Sequence, residues 1–424
     1  MVTILHTADW HLGQKLMGWS REREQALALA ALLDVAEARR IDALIVAGDV
    51  FETQSPSPEA EKLLFSTLLE LRRRLPAVTV LLLAGNHDPA GRLEAPRPLL
   101  AELGVHVIGT VARPHGRFDL DRHLVAIPGR VGGRTDAPRD GGEVVHVLAL
   151  PYLGPGSLPP IDRRSDEPGS PVVRAVRALH DEAIAAARAR IGAAPLVVTG
   201  HLAVGGATES EGAERRILIG GEHAVPTDLF PADLAYVALG HLHRPQAIGR
   251  PTLRYSGSLI PLSATERDYD HGVTLVEIDG ATTRVEHVSI PRPVPFLRLP
   301  ATGAATLAEI EAALAALDVD PATPADLHPF VQPVVRLDGP APGLKAELDR
   351  MASTRPVRLV GHAVARPDAA PETIAATAPH VDLADRDPED LFRLAFAARH
   401  ACPPDPAHLA VFAHLREAAH HRED

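Results

Sequence analysis

Cysteine is almost absent from this sequence, because Cys402 is the only one among 424 residues. A single thiol excludes an internal disulfide and a zinc site built from several cysteines, and it fits a reducing compartment. No apolar run approaches the ~20 residues that are needed to cross a bilayer. The first residues, MVTILHTADW, also lack the basic start and apolar stretch of a signal peptide. We therefore expect a soluble, cytoplasmic protein that does not bind membranes.

Positive charge is also scarce. The 43 Lys and Arg residues are outnumbered by 55 Asp and Glu residues, which gives a formal net charge of −12. Proteins bind duplex DNA largely through Lys and Arg side chains that displace counterions from the phosphates. An acidic chain that acts on DNA would therefore need metal cations or a partner protein to supply part of the attraction. Apolar residues make up 46% of the chain, so it can bury a sizeable core, and its length indicates two or three domains.

The first ~290 residues alternate short apolar runs with longer amphipathic ones, which is typical of a layered α/β domain. The predicted strands are Val2–Thr7, Ala43–Ala47, Val78–Leu83, Val105–Ile108, Leu124–Ile127, Val145–Leu150, Leu196–Thr199, Ala235–Leu239, Leu253–Tyr255, Val273–Ile278 and Arg284–Ile290. The predicted helices are Arg21–Arg40, Pro58–Arg74 and Pro171–Ile191. Segments 128–142 and 159–169 are predicted to be loops because they are rich in turn-forming and charged residues.

A domain boundary is predicted at Pro291–Pro295, where three prolines fall within five residues. We expect a first domain over 1–292, a small α/β unit over 293–366, a linker over 367–387 and a helical tail over 388–424. The predicted elements of the small α/β unit are strand Phe296–Leu299, helix Ala305–Leu317, strand Val331–Leu337, helix Gly343–Met351 and strand Val357–Ala365.

Five short polar motifs each follow a predicted apolar strand. They are Asp9-Trp10-His11, Gly48-Asp49, Gly85-Asn86-His87-Asp88, Gly200-His201 and Gly240-His241-Leu242-His243. Ligands of α/β sheets bind outside the carboxyl ends of the strands, so these five corners can converge on one site. A single Gly-Asp or Gly-His is usually only a turn. Five such motifs, each after a strand, predict a functional site.

The side chains of these motifs are suited to binding divalent metals. The candidate ligands are Asp9, His11, Asp49, Asn86, His201, His241 and His243. Carboxylate, amide oxygen and imidazole without thiolate suit Mn²⁺, Fe²⁺ or Zn²⁺. Seven ligands exceed the need of one metal, whereas two metals that share a carboxylate would use them all. Two metals ~3.5–4 Å apart activate water and stabilise an in-line displacement at phosphorus.

The motifs resemble the signature of the calcineurin-like metallophosphoesterases, which reads Asp-x-His, Gly-Asp, Gly-Asn-His-Asp or Glu, Gly-His and Gly-His-x-His. This resemblance implies a four-layer αββα sandwich with a dinuclear metal site at the edge of its two sheets. The implied ligands of one metal are Asp9, His11 and His243. The implied ligands of the other metal are Asn86, His201 and His241. Asp49 would bridge the pair.

Two further site residues are implied by the same resemblance. His87 would not bind metal but would contact the phosphate and stabilise or protonate the leaving oxygen. Asp88 is the expected partner that fixes the His87 ring, since carboxylates orient catalytic imidazoles in this way.

Longer strings resemble the SbcD family of bacterial exonuclease subunits. They are ILHTADWHLGQ at 4–14, VAGDVF at 46–51, LAGNHD at 83–88, YVALGHLHR at 236–244 and YSGSLIPLS at 255–263. The resemblance covers about residues 1–300 strongly, while the small α/β unit and the tail match in layout more than in sequence. Glu52 stands where archaeal and eukaryotic relatives carry a histidine, and Leu259 replaces a common proline. Neither departure affects the implied ligands.

The SbcD resemblance implies a Mn²⁺-dependent nuclease with 3′-to-5′ exonuclease activity on duplex DNA and endonuclease activity on hairpins and single strands. It also implies a homodimer bound to an SbcC-type coiled-coil ATPase in a heterotetramer, with the small α/β unit capping the site. The tail helices each have an apolar side that would dock on the ATPase or pack on their own domain. The expected docking residues are Leu391, Phe392, Phe396, Leu409 and Phe412.

Two other functions remain open at this point. A phosphoesterase for a small nucleotide or phosphomonoester would use the same metal site, although the additions after residue 291 and the long SbcD-like strings favour the nuclease. A non-enzymatic scaffold of the same fold would be expected to have lost metal ligands, and none is missing.

Overall fold

The computed structural model of the chain describes residues 1–129, 143–159, 170–210, 224–337, 341 and 343–365. In the tail it describes positions 389, 392, 393, 395, 396, 403–405, 408, 409, 411 and 412. Most of the predicted loops 128–142 and 159–169, and the predicted linker 367–387, lie outside these residues. None of the described helices is long and apolar enough to cross a membrane.

The strands and helices follow the predicted pattern closely. In chain order the strands are β1 (Val2–Thr7), β2 (Lys15–Leu16), β3 (Trp19–Ser20), β4 (Ala43–Val46), β5 (Thr79–Leu83), β6 (Val105–Ile108), β7 (Leu124–Pro128), β8 (Val144–Leu150), β9 (Leu196–His201), β10 (Tyr236–Gly240), β11 (Gln246–Ile248), β12 (Arg250–Tyr255), β13 (Gly272–Asp279), β14 (Thr282–Ser289), β15 (Phe296–Leu299), β16 (Phe330–Arg336), β17 (Arg358–Leu359) and β18 (Ala363–Ala365). The helices are α1 (Glu22–Arg39), α2 (Pro58–Arg74), α3 (Ala90–Glu94), α4 (Arg97–Ala101), α5 (Leu120–His123), α6 (Pro171–Ile191), α7 (Leu307–Ala315) and α8 (Leu344–Ser353).

Two six-stranded sheets form the centre of the first domain. The first sheet has the order β14-β13-β1-β4-β5-β6, and the second has the order β11-β12-β10-β9-β8-β7. In the first sheet β1, β4, β5 and β6 run parallel, β13 pairs antiparallel with β1, and β14 pairs antiparallel with β13 at the edge. In the second sheet β8, β9, β10 and β12 run parallel, with antiparallel β7 and β11 at the edges. The parallel strands of each sheet therefore end at one edge.

Helices cover the outer face of each sheet. Leu5 of β1 packs in one buried cluster with Leu32 of α1 and Leu64 of α2. Val198 of β9 packs in another with Leu179 of α6. Each fully buried side chain of this kind contributes roughly 1.5–3 kcal/mol relative to an exposed one.

A third cluster fills the space between the two sheets. Ile4 and Ile45 of the first sheet pack there with Val145, Val197 and Ala238 of the second. Successive side chains of a strand point to opposite faces, so a continuous apolar run such as β1 can serve both layers at once. The four layers confirm the predicted αββα sandwich.

The elements that were not predicted are too short for a periodic pattern to show. They are the β2–β3 hairpin, strand β11 and the short helices α3, α4 and α5. By contrast, α2 begins at the predicted Pro58, and the Ser57 hydroxyl accepts a hydrogen bond from the Ala60 N–H at 3.2 Å. Proline in the first turn and serine at the N-cap are a strong start signal.

The small α/β unit contains a third sheet in which β15, β17 and β18 all pair with β16 in parallel. The predicted single strand Val357–Ala365 is wrong, because it is divided into β17 and β18. Gly361 lies between them with φ of +84°, and this left-handed backbone interrupts the extended run. The described residues up to 365 belong to one compact unit and the tail residues to a second. The division of the first unit at residue 292 therefore stays a prediction.

Candidate metal centre

Backbone strain is concentrated at the predicted ligand corners. Asp9, His11, Asp49 and His241 have positive φ angles of 53°, 46°, 50° and 106°. Residues with a Cβ rarely adopt this conformation, which costs about 1–3 kcal/mol and persists mainly where the surroundings enforce it. Here the Asp9 N–H donates to Gly48 O at 3.0 Å, and the His11 N–H donates to Asp49 O at 3.0 Å. The corners after β1 and β4 are thereby tied together.

Two motif glycines permit a close approach of neighbouring corners. A Cβ on Gly85 would lie 2.1 Å from Asp49 Oδ1, and a Cβ on Gly240 would lie 2.1 Å from Ala47 O. Neither contact is possible for a real side chain. Glycine is therefore required at both positions for the sheet edges to bring the polar side chains together.

One cluster combines residues from both sheets. Donor atoms of Asp9, His11 and His243 all lie within 4.8 Å of one another, and the three residues are buried. His11 Nε2 is buried without a hydrogen-bond partner among the described residues. Leaving such a nitrogen unsatisfied costs roughly 1–3 kcal/mol. A bound cation would remove that cost, so the residues fit a metal.

A second cluster lies around Asp49. Donor atoms of Asp49, His201 and His241 also lie within 4.8 Å of one another. His201 Nε2 is 3.3 Å from Asp49 Oδ2 and 3.0 Å from Asn86 Oδ1. The same Asp49 Oδ2 is 3.6 Å from His11 Nε2 of the first cluster. The structure thus brings all seven predicted ligands to one edge of the sandwich, with Asp49 between the two clusters.

The electrostatics of the site favour a cation. Burial acts to raise the pKa of Asp49, but His201, together with His11 and His87, holds the pKa of that carboxyl well below its usual range. Burial acts to lower the pKa of His201, but the Asp49 carboxylate outweighs it and raises this pKa to about 9. Burial lowers the pKa of His241 to about 3. The buried Asp49 carboxylate is thus stabilised by positive charge on its neighbours, which a divalent cation would also supply.

Two carboxylates that the sequence did not identify as site residues support the first cluster. His11 Nδ1 lies 2.8 Å from Glu52 Oε2, and His243 Nδ1 lies 2.8 Å from Glu266 Oε1. When Nδ1–H donates to a carboxylate, the Nε2 lone pair is directed at the metal position and becomes more basic. In the sequence Glu52 stands out only as a departure from relatives, and no spacing indicates a role for Glu266.

His87 is held by a backbone oxygen. Its Nδ1 donates to Glu52 O at 2.7 Å, and its main-chain N–H donates to Asp49 Oδ1 at 2.9 Å. Its ring meets the His11 ring edge-on, with 4.7 Å between the centroids. Burial lowers the pKa of His87, although the Asp49 charge opposes this. His87 therefore lies at the first cluster in a fixed orientation.

The expected pairing of Asp88 with the His87 ring is wrong. The Asp88 carboxylate instead accepts main-chain N–H groups of Phe51, Val50 and Gly85 at 2.8, 3.1 and 2.7 Å. These three donors are buried at adjacent corners and need an acceptor, which is a stronger demand than orienting a ring already bound elsewhere. Burial, reinforced by the Asp49 charge, raises the pKa of Asp88 to about 6. Asp88 therefore holds the loop in place.

Comparison with known proteins shows the family to which the chain is similar. Residues 2–245 match the calcineurin-like phosphoesterase family, and residues 292–400 match the type 5 capsule protein repressor C-terminal domain. The chain is 49% identical over 395 residues to the SbcD subunit of the SbcCD nuclease of Rhodobacter capsulatus, covering 93% of this chain and 94% of that protein. The SbcD subunit of Bacillus subtilis is 38% identical over 288 residues (65% and 66% covered). The SbcD subunit of Escherichia coli K12 is 35% identical over 315 residues (73% of each).

Glu266→Gln tests whether the Glu266 carboxylate orients the His243 ring. The amide would present its NH₂ to His243 or lose its bond to the Leu262 N–H, so the His243 ring would no longer be held with Nε2 toward the metal. We expect metal affinity at one position to fall about 10–100-fold. Titration calorimetry of the metal-free protein with Mn²⁺ measures this, and Glu102→Gln, at an exposed position, is the control. Wild-type affinity in Glu266→Gln would contradict the orienting role.

Proposed function

The chain belongs to the calcineurin-like phosphoesterase family and, within it, to the SbcD nuclease subunits, and on that premise we propose that it cleaves DNA phosphodiester bonds with two divalent metals. The observation that carries this proposal is the position of Asp49, whose Oδ2 faces a histidine of each cluster at 3.3 and 3.6 Å. One buried carboxylate between two ligand clusters is what a shared bridge requires.

In the proposed arrangement each residue has one role. Asp9, His11 and His243 hold one metal. Asn86, His201 and His241 hold the other, and Asp49 contacts both. When bound, two such metals lower the pKa of water and offset negative charge at phosphorus. Mn²⁺ is the proposed ion, since carboxylate, amide oxygen and imidazole donors without thiolate suit it.

His87 is the proposed catalytic residue. Its Nδ1–H is committed to Glu52 O, so Nε2 is the ring atom left to exchange a proton. An approaching phosphate anion favours the protonated ring, and Nε2–H can then donate to the leaving oxygen. The backbone carbonyl keeps the ring in one orientation, which a general acid needs.

DNA is the proposed substrate because the chain is similar over 93% of its length to a subunit of a nuclease. We propose 3′-to-5′ exonuclease activity on duplex ends and endonuclease activity on hairpins and single strands. The small α/β unit is proposed to cap the site. In support, Trp19 Nε1 donates to Leu359 O at 2.9 Å, and Arg358 donates to Ser20 O at 3.2 Å. Both contacts join the small α/β unit to the β2–β3 hairpin, which begins four residues after His11.

Substitution of His87 is expected to separate catalysis from the binding of metals and DNA. A positioned proton donor contributes ~10²–10⁴-fold to turnover, so His87→Gln is expected to lower kcat by this factor while keeping its metals and its affinity for DNA. End-labelled duplex and hairpin substrates measure turnover, and elemental analysis measures metal content. If the variant lost metals as completely as His241→Ala, His87 would be a ligand. If the wild-type protein hydrolysed only small phosphodiesters, DNA would be the wrong substrate.

The tail is proposed to bind an SbcC-type coiled-coil ATPase, with two copies of each chain in the complex. Within the tail, the Phe392 ring stacks on the Phe412 ring with centroids 4.5 Å apart, and Phe396 lies 4.7 Å from the His408 ring. The two helical segments thus pair through part of their apolar sides. Leu391 lies outside the described residues. Leu409 is half-buried, and Val411 is 61% exposed, so this helical pair still offers an apolar surface to a groove.

Val411→Glu tests the docking. The introduced carboxylate would be exposed to water in the free chain but buried in a complex. We therefore expect association with the ATPase to weaken at least ~10-fold. The matched control is Leu99→Glu, at an apolar helical residue that is 75% exposed. Sizing chromatography with light scattering measures association and stoichiometry. Normal co-elution both of Val411→Glu and of a chain ending before residue 388 would refute the docking role.

A further inference from the structure

An acidic protein that cleaves DNA needs local positive charge beside its metals, because attraction to the flanking phosphates comes from Lys and Arg. Arg244 directly follows the proposed ligand His243 and is exposed. Many arginines of this chain are paired with carboxylates, as Arg350 is with Glu347. In the part of the chain that the structure describes, the Arg244 guanidinium has neither an ion pair nor a hydrogen bond. It is therefore available to an anionic ligand.

The Arg244 guanidinium is nevertheless held in place. Its Cζ lies 5.6 Å from the centroid of the Tyr269 ring, within the range of a cation–π contact. A guanidinium over an aromatic ring keeps its N–H donors free at the edge of the plane, where they can form paired hydrogen bonds to a phosphate. The arginine is thus positioned without using the groups that would bind the ligand.

The Tyr269 ring is itself anchored to the ligand loops. Its hydroxyl donates to Ser210 Oγ at 3.2 Å, in the loop that follows the proposed ligand His201. Its main-chain N–H donates to the carbonyl of Glu266 at 3.0 Å, and the Glu266 side chain holds the His243 ring. Tyr269 therefore connects the loops that follow two proposed ligands and supports Arg244 between them.

A second contact ties the same two loops together. The side-chain amide of Gln246 exchanges two hydrogen bonds of 2.8 Å with the main chain of Thr208. Gln246 lies two residues after Arg244, so the main chain on that side of the arginine is fixed. Arg244 is thus held both by the Tyr269 ring and by the fixed main chain of its own loop. Such positioning of a surface side chain suits a residue that binds a ligand.

We propose that Arg244 binds a phosphate of the DNA strand next to the one that is cleaved. This inference rests on the proposed nuclease function and names one residue that positions its substrate. The ligand is a backbone phosphodiester, so the contact is independent of base sequence. Tyr269 is the positioning residue for Arg244.

Salt dependence provides the first test. Arg244→Gln removes one phosphate contact, so the plot of log affinity against log salt for duplex DNA should become shallower by about 0.9. The KM for duplex DNA should rise about 10-fold, with a much smaller change in kcat. Arg244→Lys should keep the wild-type salt slope and recover part of the affinity, because it retains the charge without the planar fork. Arg350→Gln in α8 is the control and should change neither quantity.

The supporting ring provides the second test. Tyr269→Leu should raise the KM for DNA about 2–5-fold, the value of an exposed cation–π contact, while the salt slope stays unchanged because the charge remains. Tyr269→Phe keeps the ring but loses the hydrogen bond to Ser210 Oγ, so its KM should lie between those of wild type and Tyr269→Leu. A salt-slope change in Tyr269→Leu equal to that in Arg244→Gln would contradict the division of roles between the two residues.

Different results would refute the Arg244–phosphate contact and the proposed nuclease function. If the wild-type chain cleaves duplex DNA but Arg244→Gln retains both the wild-type KM and the wild-type salt slope, the phosphate contact is refuted and the nuclease function stands. If the wild-type chain, loaded with Mn²⁺, hydrolyses bis(4-nitrophenyl) phosphate yet neither binds nor cleaves DNA, both the proposed function and the contact are refuted. Metal content of every variant, measured by elemental analysis, shows whether the centre is intact.

Discussion

The buried carboxylate of Asp49 is the constraint on which the rest of the site depends. It lies between the histidines of two clusters, and its other oxygen accepts the His87 N–H at 2.9 Å. A charge in this position is tolerable only if cations or protons surround it. The glycine at 85, where a Cβ would collide with Asp49, and the raised pKa of His201 both follow from the packing of neighbours around that one group.

The sandwich matters because neither sheet alone completes a cluster. The first cluster takes Asp9 and His11 from the corner after β1 and His243 from the loop after β10. The second takes Asp49 from the corner after β4 and its two histidines from the ends of β9 and β10. The apolar layer between the sheets therefore sets the distances between ligands. The outer helices bury the remaining faces and contribute stability without touching the chemistry.

The sequence was sufficient to predict the main strands, the long helices and the seven candidate ligands, because each leaves a local pattern. The strands and helices show as apolar runs, and the candidate ligands show as polar residues in the turns that follow. Contacts between distant residues leave no such pattern. Glu266 supports His243 from 23 positions away, and nothing in the spacing indicated it. The sequence pattern pairs Asp88 with its neighbour His87, whereas in the folded chain Asp88 accepts two buried N–H groups from the corner after β4 and one, that of Gly85, from its own motif. Arg244 and Tyr269 likewise meet only in the folded chain.

The shared bridge is tested most directly by metal content per chain after dialysis against Mn²⁺, measured by elemental analysis for wild type, His11→Ala and Asp49→Ala. Two sites that share one carboxylate predict about two ions for wild type and about one for His11→Ala, which loses a ligand of a single site. Asp49→Ala is expected to lose both ions together. Two ions retained by Asp49→Ala would contradict the bridge.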